Sequence, residues 1–318
     1  MTWRLFSWTF RLKSQLHIGY YKSSHLKKTR YYAGGRLIWA ALTSKLTKLL
    51  SIDNYEMIGD YLKNVLRIGY LFPYAKGSLY LPKYTSEGLF FNCSPDPISK
   101  DDFERRFVSS IKSTAINPLS QTSEEEMLFE IEFIMPYTRE SGNELGQKIF
   151  LKGLIWINID SSLNQIHLKT KNNDVIINYN NLNINFQKEL ANRFQIGGER
   201  TYGLGLIELV DFSEIKKNQI NDFPSIWFSK NNEIYLKIKR NEAIWCPLLY
   251  REDISFKKKG DLEIKGDLEP LVGRKWSKES GAGKDLTFKG FIWKPGTIAN
   301  QNITCKINED GLFELEKF

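Results

Sequence analysis

An α+β fold is predicted by three features of the sequence. Residues 3–13 alternate, with Phe6, Trp8 and Phe10 on one side, which is the period of a strand with one buried face. From Arg36 the apolar residues recur at helical spacing, which predicts an amphipathic helix of about four turns. The further order of strands, a short helix, a glycine-rich loop and a last strand matches a βαββαβ, ferredoxin-like (RRM-like) arrangement.

The remaining elements follow from local patterns along the chain. Ser99 followed by Asp102 is typical of a capping box, so a helix is expected over 100–112. Residues 14–35 and the Asn-rich stretch 172–185 are expected to be loops. The other predicted elements are a hairpin at 68–81, strands at 127–135 and 148–159, a short helix at 187–194, a strand at 204–210, and hairpins at 225–240 and 285–309.

Two domains are expected from the distribution of these signals. Residues 1–212 carry both helical and strand patterns and form the RRM-like domain, with an insertion around 84–126. Helical patterns end at about residue 213, so 213–318 is predicted to be a smaller, β-rich domain.

Composition excludes several classes of protein. The chain has 318 residues, of which 42% are hydrophobic and 14% aromatic, so it can build a core and is not globally disordered. No window approaches the ~18 uninterrupted apolar residues of a membrane span, which excludes an integral membrane protein. The first residues do not have the pattern of a signal peptide, so a cytoplasmic location is expected.

The cysteines and histidines give no sign of a cofactor. Cys93, Cys246 and Cys305 are scattered, with no disulfide or zinc spacing, and are interpreted as reduced thiols. The chain has three histidines, too few to make a structural zinc site attractive. Neither a metal nor another cofactor is therefore expected.

Positive charge is concentrated at the start of the chain. The net charge is +8, yet residues 1–52 contain ten Lys and Arg and no Asp or Glu, so the rest of the chain is slightly acidic. Nine aromatic residues are interleaved with these cations. Cations that neutralise phosphates, with rings that stack on unpaired bases, indicate an RNA-binding surface. The alternative is a solvated basic face whose aromatic residues belong to the core.

The glycine-rich run 197–205 is a second candidate for phosphate binding. It follows a predicted helix and precedes a strand, the reverse of a dinucleotide-binding motif. The segment 281–285 is not a phosphate loop, because Lys278 stands where that motif has Gly and Asp285 where it has Ser or Thr. Free backbone N–H groups in such a loop can still hold a phosphate, with Arg200 adding charge. The alternative is a turn that closes a helix onto a strand.

His25 is the one candidate for catalysis. It lies among basic residues, and an imidazole there could act as general base on a ribose 2′-hydroxyl. No second acid–base group has a fixed spacing from it, so a loop histidine that stacks or hydrogen-bonds is the simpler interpretation. His17, at a strand end, is expected to be structural, and helix capping accounts for Asp101 and Asp102.

Two segments resemble a known superfamily. Leu16-His17-Ile18-Gly19 followed by Tyr32-Ala33-Gly34-Gly35-Arg36 through Leu42 resembles the first strand, loop and helix of the RAMP superfamily of CRISPR-associated proteins. Ala33 and Ala40 depart from the usual Pro and Gly. The run from Gly197 to Gly205 is similar to the glycine-rich loop of the superfamily, in the expected place before the last strand.

The layout most resembles the cap subunit of type III effector complexes, including the III-D version. The resemblance implies binding of the repeat-derived 5′ tag of the guide RNA (crRNA), with contacts to the large polymerase-like subunit and the first backbone subunit in antiviral defence. Target RNA would be met only indirectly. Backbone subunits that cut target RNA carry an Asp between the first strand and helix, whereas no acid precedes Asp53 here, so no catalytic residue is expected.

The residues expected to bind RNA come from the basic segment and the glycine-rich loop. They are Tyr20, Lys22, His25, Lys27, Lys28, Arg30, Tyr31, Tyr32, Arg36, Gly197, Gly198, Arg200, Thr201 and Tyr202. Tyr31 or Tyr32 is expected to stack on a base. The remaining alternative is a metal-independent endoribonuclease that processes precursor crRNA, with His25 as general base.

Overall fold

The computed structural model describes residues 2–92, 96–116, 123–139, 146–159, 161–163, 166–171, 174–250, 262–277 and 281–316. Its chain divides into two compact units. Unit 1 comprises residues 1–80 and 91–216, and unit 2 comprises 81–90 and 217–318. The segment 81–90, which the sequence analysis placed near an insertion in the first domain, thus packs with the C-terminal residues.

Strands outnumber helices in the first half of the chain. Its elements are β1 (Thr2–Leu12), β2 (Gly19–Ser23), β3 (Leu26–Thr29), α1 (Gly35–Leu49), α2 (Tyr55–Val65), β4 (Leu66–Ile68), β5 (Phe72–Ala75), β6 (Ser78–Leu79), β7 (Leu81–Thr85), β8 (Gly88–Asn92), β9 (Ile98–Ser99), α3 (Lys100–Phe107), β10 (Val108–Ile116), β11 (Ser123–Ile134) and β12 (Phe150–Ile159).

The second half contains short strands and two isolated helical turns. Its elements are β13 (Ser162–Leu163), β14 (Ile166–Lys171), β15 (Asp174–Tyr179), β16 (Leu182–Asn185), a π-helical turn (Phe186–Leu190), β17 (Arg193–Gln195), a 3-10 turn (Arg200–Tyr202), β18 (Leu206–Ile215), β19 (Gln219–Ile220), β20 (Ser225–Lys230), β21 (Glu233–Ile238), β22 (Ala243–Ile244), β23 (Leu248–Leu249), β24 (Ile264–Lys265), β25 (Leu268–Ser277), β26 (Gly281–Trp293), β27 (Thr297–Ala299), β28 (Ile303–Ile307) and β29 (Phe313–Leu315).

The central sheet of unit 1 is built around β1. Its order is β17-β18-β1-β12-β5-β6, with β4 also on β12, and β1 is antiparallel to both of its neighbours. Strand β1 thus lies between β12 and β18, which correspond to the third and fourth strands of a βαββαβ unit. This order accords with a split βαβ arrangement. The mixed α+β class is confirmed, whereas the ferredoxin-like description stays an interpretation.

Strand β1 is buried on both faces, which corrects the expectation of one buried face. Trp8 and Phe10 are fully buried, and Ser7 and Thr9 on the opposite side are only 8% and 7% exposed. A strand that is paired along both edges at the centre of the sheet is covered by other elements on either side, so the polar residues at its middle, Ser7 and Thr9, are small, whereas Arg4 and Arg11 lie nearer its ends.

The helices match the sequence in part. Helix α1 is confirmed and buries Ile38, Leu42 and Leu46. Helix α2 was not predicted, although Asn54 accepts a hydrogen bond from the Met57 N–H at 3.0 Å, as an N-cap residue does. Helix α3 has the expected Ser99 cap. It ends at Phe107, five residues early, because the chain continues directly into β10.

Other corrections concern stretches that were expected to be loops. Residues 14–35 contain the β2–β3 hairpin, and 172–185 contain β15 and β16, which join β13 and β14 in a small sheet. The predicted helix at 187–194 is a single π-helical turn followed by β17. A further sheet of unit 1 has the order β10-β11-β3-β2 and carries the basic hairpin at its edge.

Unit 2 contains no helix among its described residues, as predicted for the C-terminal part. Its main sheet has the order β19-β20-β21-β28-β29-β23-β26-β25, packed around Trp245, Phe223 and Phe313. The hairpin at 225–240 is confirmed, with Asn231 and Asn232 at positive φ. The prediction of a hairpin at 285–309 is wrong, because the two long strands of this range do not pair with each other. Strand β26 pairs with β25 and β23, whereas β28 pairs with β21 and β29.

The described helices include none that is long and apolar enough to pass through a lipid bilayer. Cys246 and Cys305 are both buried, and burial raises the pKa of the Cys305 thiol above its usual value. Cys93 lies outside the described residues.

The glycine-rich loop between β17 and β18 depends on left-handed backbone. Gly203 and Gly205 both have φ of 82°, and the loop closes where the Ile196 N–H donates to the Gly205 carbonyl at 2.9 Å. A Cβ at Gly205 would lie 1.8 Å from the Ile196 carbonyl oxygen, whereas a Cβ at Gly203 would meet nothing within 4 Å.

These two glycines make a matched pair for a stability measurement. Gly203→Ala is expected to lower the free energy of unfolding by about 1–2 kcal/mol, the cost of a left-handed alanine. Gly205→Ala has the same conformational cost, and its Cβ also forces the backbone at Ile196 to move. We therefore expect Gly205→Ala to lower the free energy of unfolding at least twice as much as Gly203→Ala. Denaturant unfolding of both variants measures this difference, and equal losses would contradict the described loop.

Candidate nucleic-acid interface

The β2–β3 hairpin presents an exposed edge of aromatic and basic residues. Every residue of β2 is exposed, and the rings of Tyr20 and Tyr21 are 37% and 53% accessible, in edge contact at 4.7 Å between centroids. The Arg30 guanidinium carbon lies 5.0 Å from the Tyr20 ring centroid, and this group donates a hydrogen bond to the Gly19 carbonyl. Lys22 is paired with Lys27 across the two strands. The predicted residues Tyr20, Lys22 and Arg30 therefore share one surface.

His17 fixes the base of this hairpin, in agreement with its predicted structural role. The residue is 5% exposed, and its Nδ1 lies 2.7 Å from the Glu132 carbonyl oxygen. The Ile18 N–H donates to the Thr29 hydroxyl at 2.9 Å. These contacts bind the start of the hairpin to β11, which runs parallel to β3.

Lys28 is an anchor of the hairpin rather than a freely available cation. Its ammonium lies 2.8 Å from a carboxylate oxygen of Glu132, whose second oxygen accepts the Thr29 N–H at 2.9 Å. The hydrogen bond to Glu132, which is 6% exposed, raises the pKa of Lys28 above its usual value. A phosphate at Lys28 would have to compete with a well-held carboxylate, so the predicted RNA contact at Lys28 is secondary to its structural role.

The glycine-rich loop meets the basic hairpin directly. The Gly198 N–H donates to the His17 carbonyl at 2.9 Å, and the Gly205 N–H donates to the Gln15 carbonyl at 2.7 Å. A side chain at Gly197 would place its Cβ 2.3 Å from the His17 carbonyl oxygen, so glycine permits the close approach. The Lys27 ammonium lies 2.8 Å from the Glu199 carboxylate. Two segments that are distant in sequence thus lie side by side.

The outer part of the loop is open to solvent. Arg200, Thr201 and Tyr202 form the 3-10 turn and are all exposed, with Tyr202 72% accessible. The N–H groups of Arg200 and Thr201 have no hydrogen-bond acceptor among the described residues, as at the start of any helical turn. An oxyanion approaching this turn would find these N–H groups beside a guanidinium.

Tyr32 is buried and not available for base stacking, which corrects the prediction for that residue, and Tyr31 is half-buried. Tyr32 is 8% exposed and packs on Tyr70 at 5.6 Å between ring centroids. Tyr31 packs on Phe103 and donates a hydrogen bond from its hydroxyl to Glu104. Burial raises the pKa of Tyr31, and the bond to Glu104 raises it further. Tyr32 belongs to the aromatic core and Tyr31 packs at its edge, so the exposed tyrosines of this surface are Tyr20, Tyr21 and Tyr202.

Arg36 and His25 complete the predicted set. Arg36 is half-buried in the first turn of α1 and forms no ion pair or hydrogen bond with its side chain in the described part of the chain. His25 is exposed at the tip of the hairpin, next to Ser24 at positive φ. Its carbonyl accepts the Glu130 N–H at 2.9 Å.

The described ranges contain no group of three His, Cys, Asp or Glu side chains placed to hold a metal ion.

The carboxylates of this surface were not among the residues predicted from the sequence. Glu132 and Glu199 bind Lys28 and Lys27, and neither was considered a partner of the basic segment. Glu132 left a misleading signal, because its alternation with Ile131 and Phe133 is the pattern of a strand with one solvent-exposed face. Glu199 left none, since its contact depends on the approach of two distant segments.

Comparison with known proteins gives matches in structure alone. No protein-family model matches the sequence, and no curated protein matches it significantly. A chain in the cryo-EM structure of the type III-B Cmr-beta bound to cognate target RNA and AMPPnP is similar over 92% of this chain and 85% of its own, with a TM-score of 0.54 and 12% identity. A chain in the structure of the same type of assembly bound to cognate target RNA covers 92% and 86%, with a TM-score of 0.53 and 12% identity.

At this level of identity the similarity concerns the fold. It extends over nearly the whole chain, including both compact units. The chain has the fold of chains in type III-B Cmr assemblies, and its predicted resemblance to the RAMP superfamily of CRISPR-associated proteins is confirmed as a resemblance of fold.

Proposed function

We propose that this chain is the non-catalytic cap subunit of a type III CRISPR effector complex and binds the 5′ tag of the guide RNA. The observation that carries the proposal is the junction of the basic hairpin with the glycine-rich loop, at the contacts of His17 with Gly198 and of Lys27 with Glu199. Solved chains of the same fold belong to assemblies that bind target RNA, which supports a place in an RNA-guided complex.

In this proposal, the tag phosphates are bound by cations that have no anionic partner among the described residues. Lys22, Arg36 and Arg200 meet this condition. The N–H groups of Arg200 and Thr201 would add neutral donors to the same phosphate. Arg30, which packs on Tyr20, would orient that ring as well as supply charge.

Base recognition in this proposal falls to the exposed tyrosines. Tyr20, Tyr21 and Tyr202 offer accessible rings, and stacking of a base on such a ring contributes about 1–3 kcal/mol without regard to base identity. A single-stranded tag, with its bases free to splay, suits this surface better than a duplex.

The partners in this proposal are the crRNA, the large polymerase-like subunit and the RAMP backbone subunits, with target RNA reached through the guide. Cleavage is assigned to other subunits. The first 52 residues contain no acid that could take the place of the slicing Asp in backbone subunits.

A triple variant tests the RNA surface. Lys22→Ala, Arg36→Ala and Arg200→Ala together are expected to weaken binding of single-stranded tag RNA about 30- to 100-fold and to reduce the slope of log K against log salt by about 2, because three phosphate contacts are lost. Fluorescence anisotropy over a salt series measures both values.

The matched control removes three exposed lysines elsewhere in the same unit, by Lys48→Ala, Lys169→Ala and Lys171→Ala. This control variant is expected to retain its affinity within about threefold. Equal losses in the two triple variants would show a general charge effect and contradict the assigned surface.

Purification from the native host tests the place in a complex. We expect short RNAs with a common repeat-derived 5′ tag, together with a large polymerase-like protein and several copies of a backbone subunit. Sequencing the RNA and identifying the proteins in one preparation gives the result. Heterogeneous RNA without protein partners would reduce the function to general RNA binding.

The alternative function is an endoribonuclease with His25 as general base. One observation supports it, the exposed position of His25 at the tip of the hairpin. Incubation of the purified chain with precursor crRNA without metal distinguishes the two functions. We expect no cleavage by the wild type. Cleavage that is lost in His25→Ala and retained in His167→Ala would establish the alternative.

A further inference from the structure

Lys27, one of the predicted phosphate ligands, already holds an anion. Its ammonium lies 2.8 Å from the Glu199 carboxylate, and the side chains of Lys27 and Glu199 are 39% and 20% exposed. The contact is therefore within reach of solvent and of a bound strand. Because residues 1–52 contain no acid, a carboxylate can reach this lysine only from another part of the chain.

The role of Glu199 differs from that of the other acid beside the hairpin. Glu132 is buried and bonds the Thr29 N–H as well as Lys28, so it holds the hairpin together. The Glu199 carboxylate has Lys27 as its one side-chain partner in the described part of the chain. Removal of Glu132 would break the fold locally, whereas removal of Glu199 would only free a cation.

The backbone of Glu199 points to a role at this position other than local stability. Its φ is +56°, in the left-handed region, where glycine and asparagine are favoured and glutamate is uncommon. The neighbouring Gly197, Gly203 and Gly205 also have positive φ and use glycine for it. A glutamate here costs conformational energy that the ion pair with Lys27 offsets only in part.

We propose that Glu199 is an internal competitor of the RNA backbone, occupying Lys27 in the free protein until a phosphate of the bound strand displaces it. The inference rests on the proposed RNA-binding function and adds a residue that limits affinity. A carboxylate and a phosphodiester both accept hydrogen bonds from an ammonium group, so the exchange replaces one anion by another.

The charge of Glu199 makes this exchange less favourable than it would be with a neutral side chain at the same position. The displaced carboxylate stays tethered beside Lys27 by its own backbone, where it repels the incoming phosphate. Lys27 therefore contributes less to the binding of any polyanion than an unpaired lysine would. Stacking on the tyrosines and the contacts of the unpaired cations must supply the remaining affinity, which disfavours anions that offer charge alone.

Glu199→Gln removes the charge and keeps the size of the side chain. We expect this variant to bind a short fluorescein-labelled oligouridylate about three- to fivefold more tightly than the wild type, the range given by a partly exposed ion pair. The slope of log K against log salt should become steeper by about 0.7, since the phosphate contact of Lys27 then forms without freeing a carboxylate charge beside the bound strand.

Three further variants make the test specific. In Lys27→Met the effect of Glu199→Gln should vanish, because the competitor has nothing to occupy. Glu199→Asn removes the charge with a residue suited to the left-handed backbone, and it should reproduce the gain if the glutamine variant folds poorly. Glu214→Gln removes a carboxylate that is paired with Arg4 on the central sheet, and should change affinity less than twofold.

The outcomes separate the inference from the proposed function. Tighter binding by both Glu199 variants, dependent on Lys27, supports the inference. RNA binding by the wild type with no gain in either variant overturns the inference and leaves the proposed function intact. Absence of RNA binding in the wild type and in both Glu199 variants overturns both.

Discussion

The buried His17 is the contact on which the RNA-binding surface depends. Its imidazole is held against β11 by the Glu132 carbonyl, and its own carbonyl accepts the Gly198 N–H. One residue thus joins the end of β1, the strand behind the hairpin and the glycine-rich loop. Since 5% of its surface is exposed, its polar atoms must be satisfied inside the protein, which ties these three segments to a fixed arrangement.

The basic residues of the first segment divide into two groups with different physical roles. Lys27 and Lys28 are paired with carboxylates, and the pair of Lys28 with Glu132 also holds the hairpin in position, whereas Lys22, Arg36 and Arg200 keep their charge uncompensated within the described residues. The net charge of the segment therefore overstates the charge that a polyanion meets. The tyrosines divide in the same way between the core and the surface.

Periodicity predicted the elements whose stability is local. The alternation in β1, the apolar stripe of α1 and the Ser99 cap of α3 are written in consecutive residues, and each was found. The β2–β3 hairpin was missed because its exposed strands have polar residues on both faces and are held by β11, far along the chain. Helix α2 could have been found from its Asn54 cap and the apolar spacing of Ile58, Leu62 and Val65.

The candidate site was predictable in its location and less so in its details. The two motifs indicated which segments to consider, but not which tyrosines remain exposed, because the packing of Tyr31 and Tyr32 depends on Phe103, Tyr70 and the rest of the aromatic core. The partners of Lys27 and Lys28 were hidden for the same reason. The exposure of the tyrosines and the partners of the lysines both depend on contacts between distant segments. Such contacts cannot be predicted from a local sequence pattern.

The placement of residues 81–90 has a consequence for how the protein is made. Tyr84 donates its N–H to the Gly296 carbonyl, and its hydroxyl donates to Asp267, so this segment is completed by strands at the far end of unit 2. During synthesis, 81–90 leaves the ribosome about 130 residues before the rest of its unit begins to appear. The nascent chain must carry the paired strands β7 and β8 without these later contacts while the first unit is being synthesised, so the second unit can close only when translation is nearly finished.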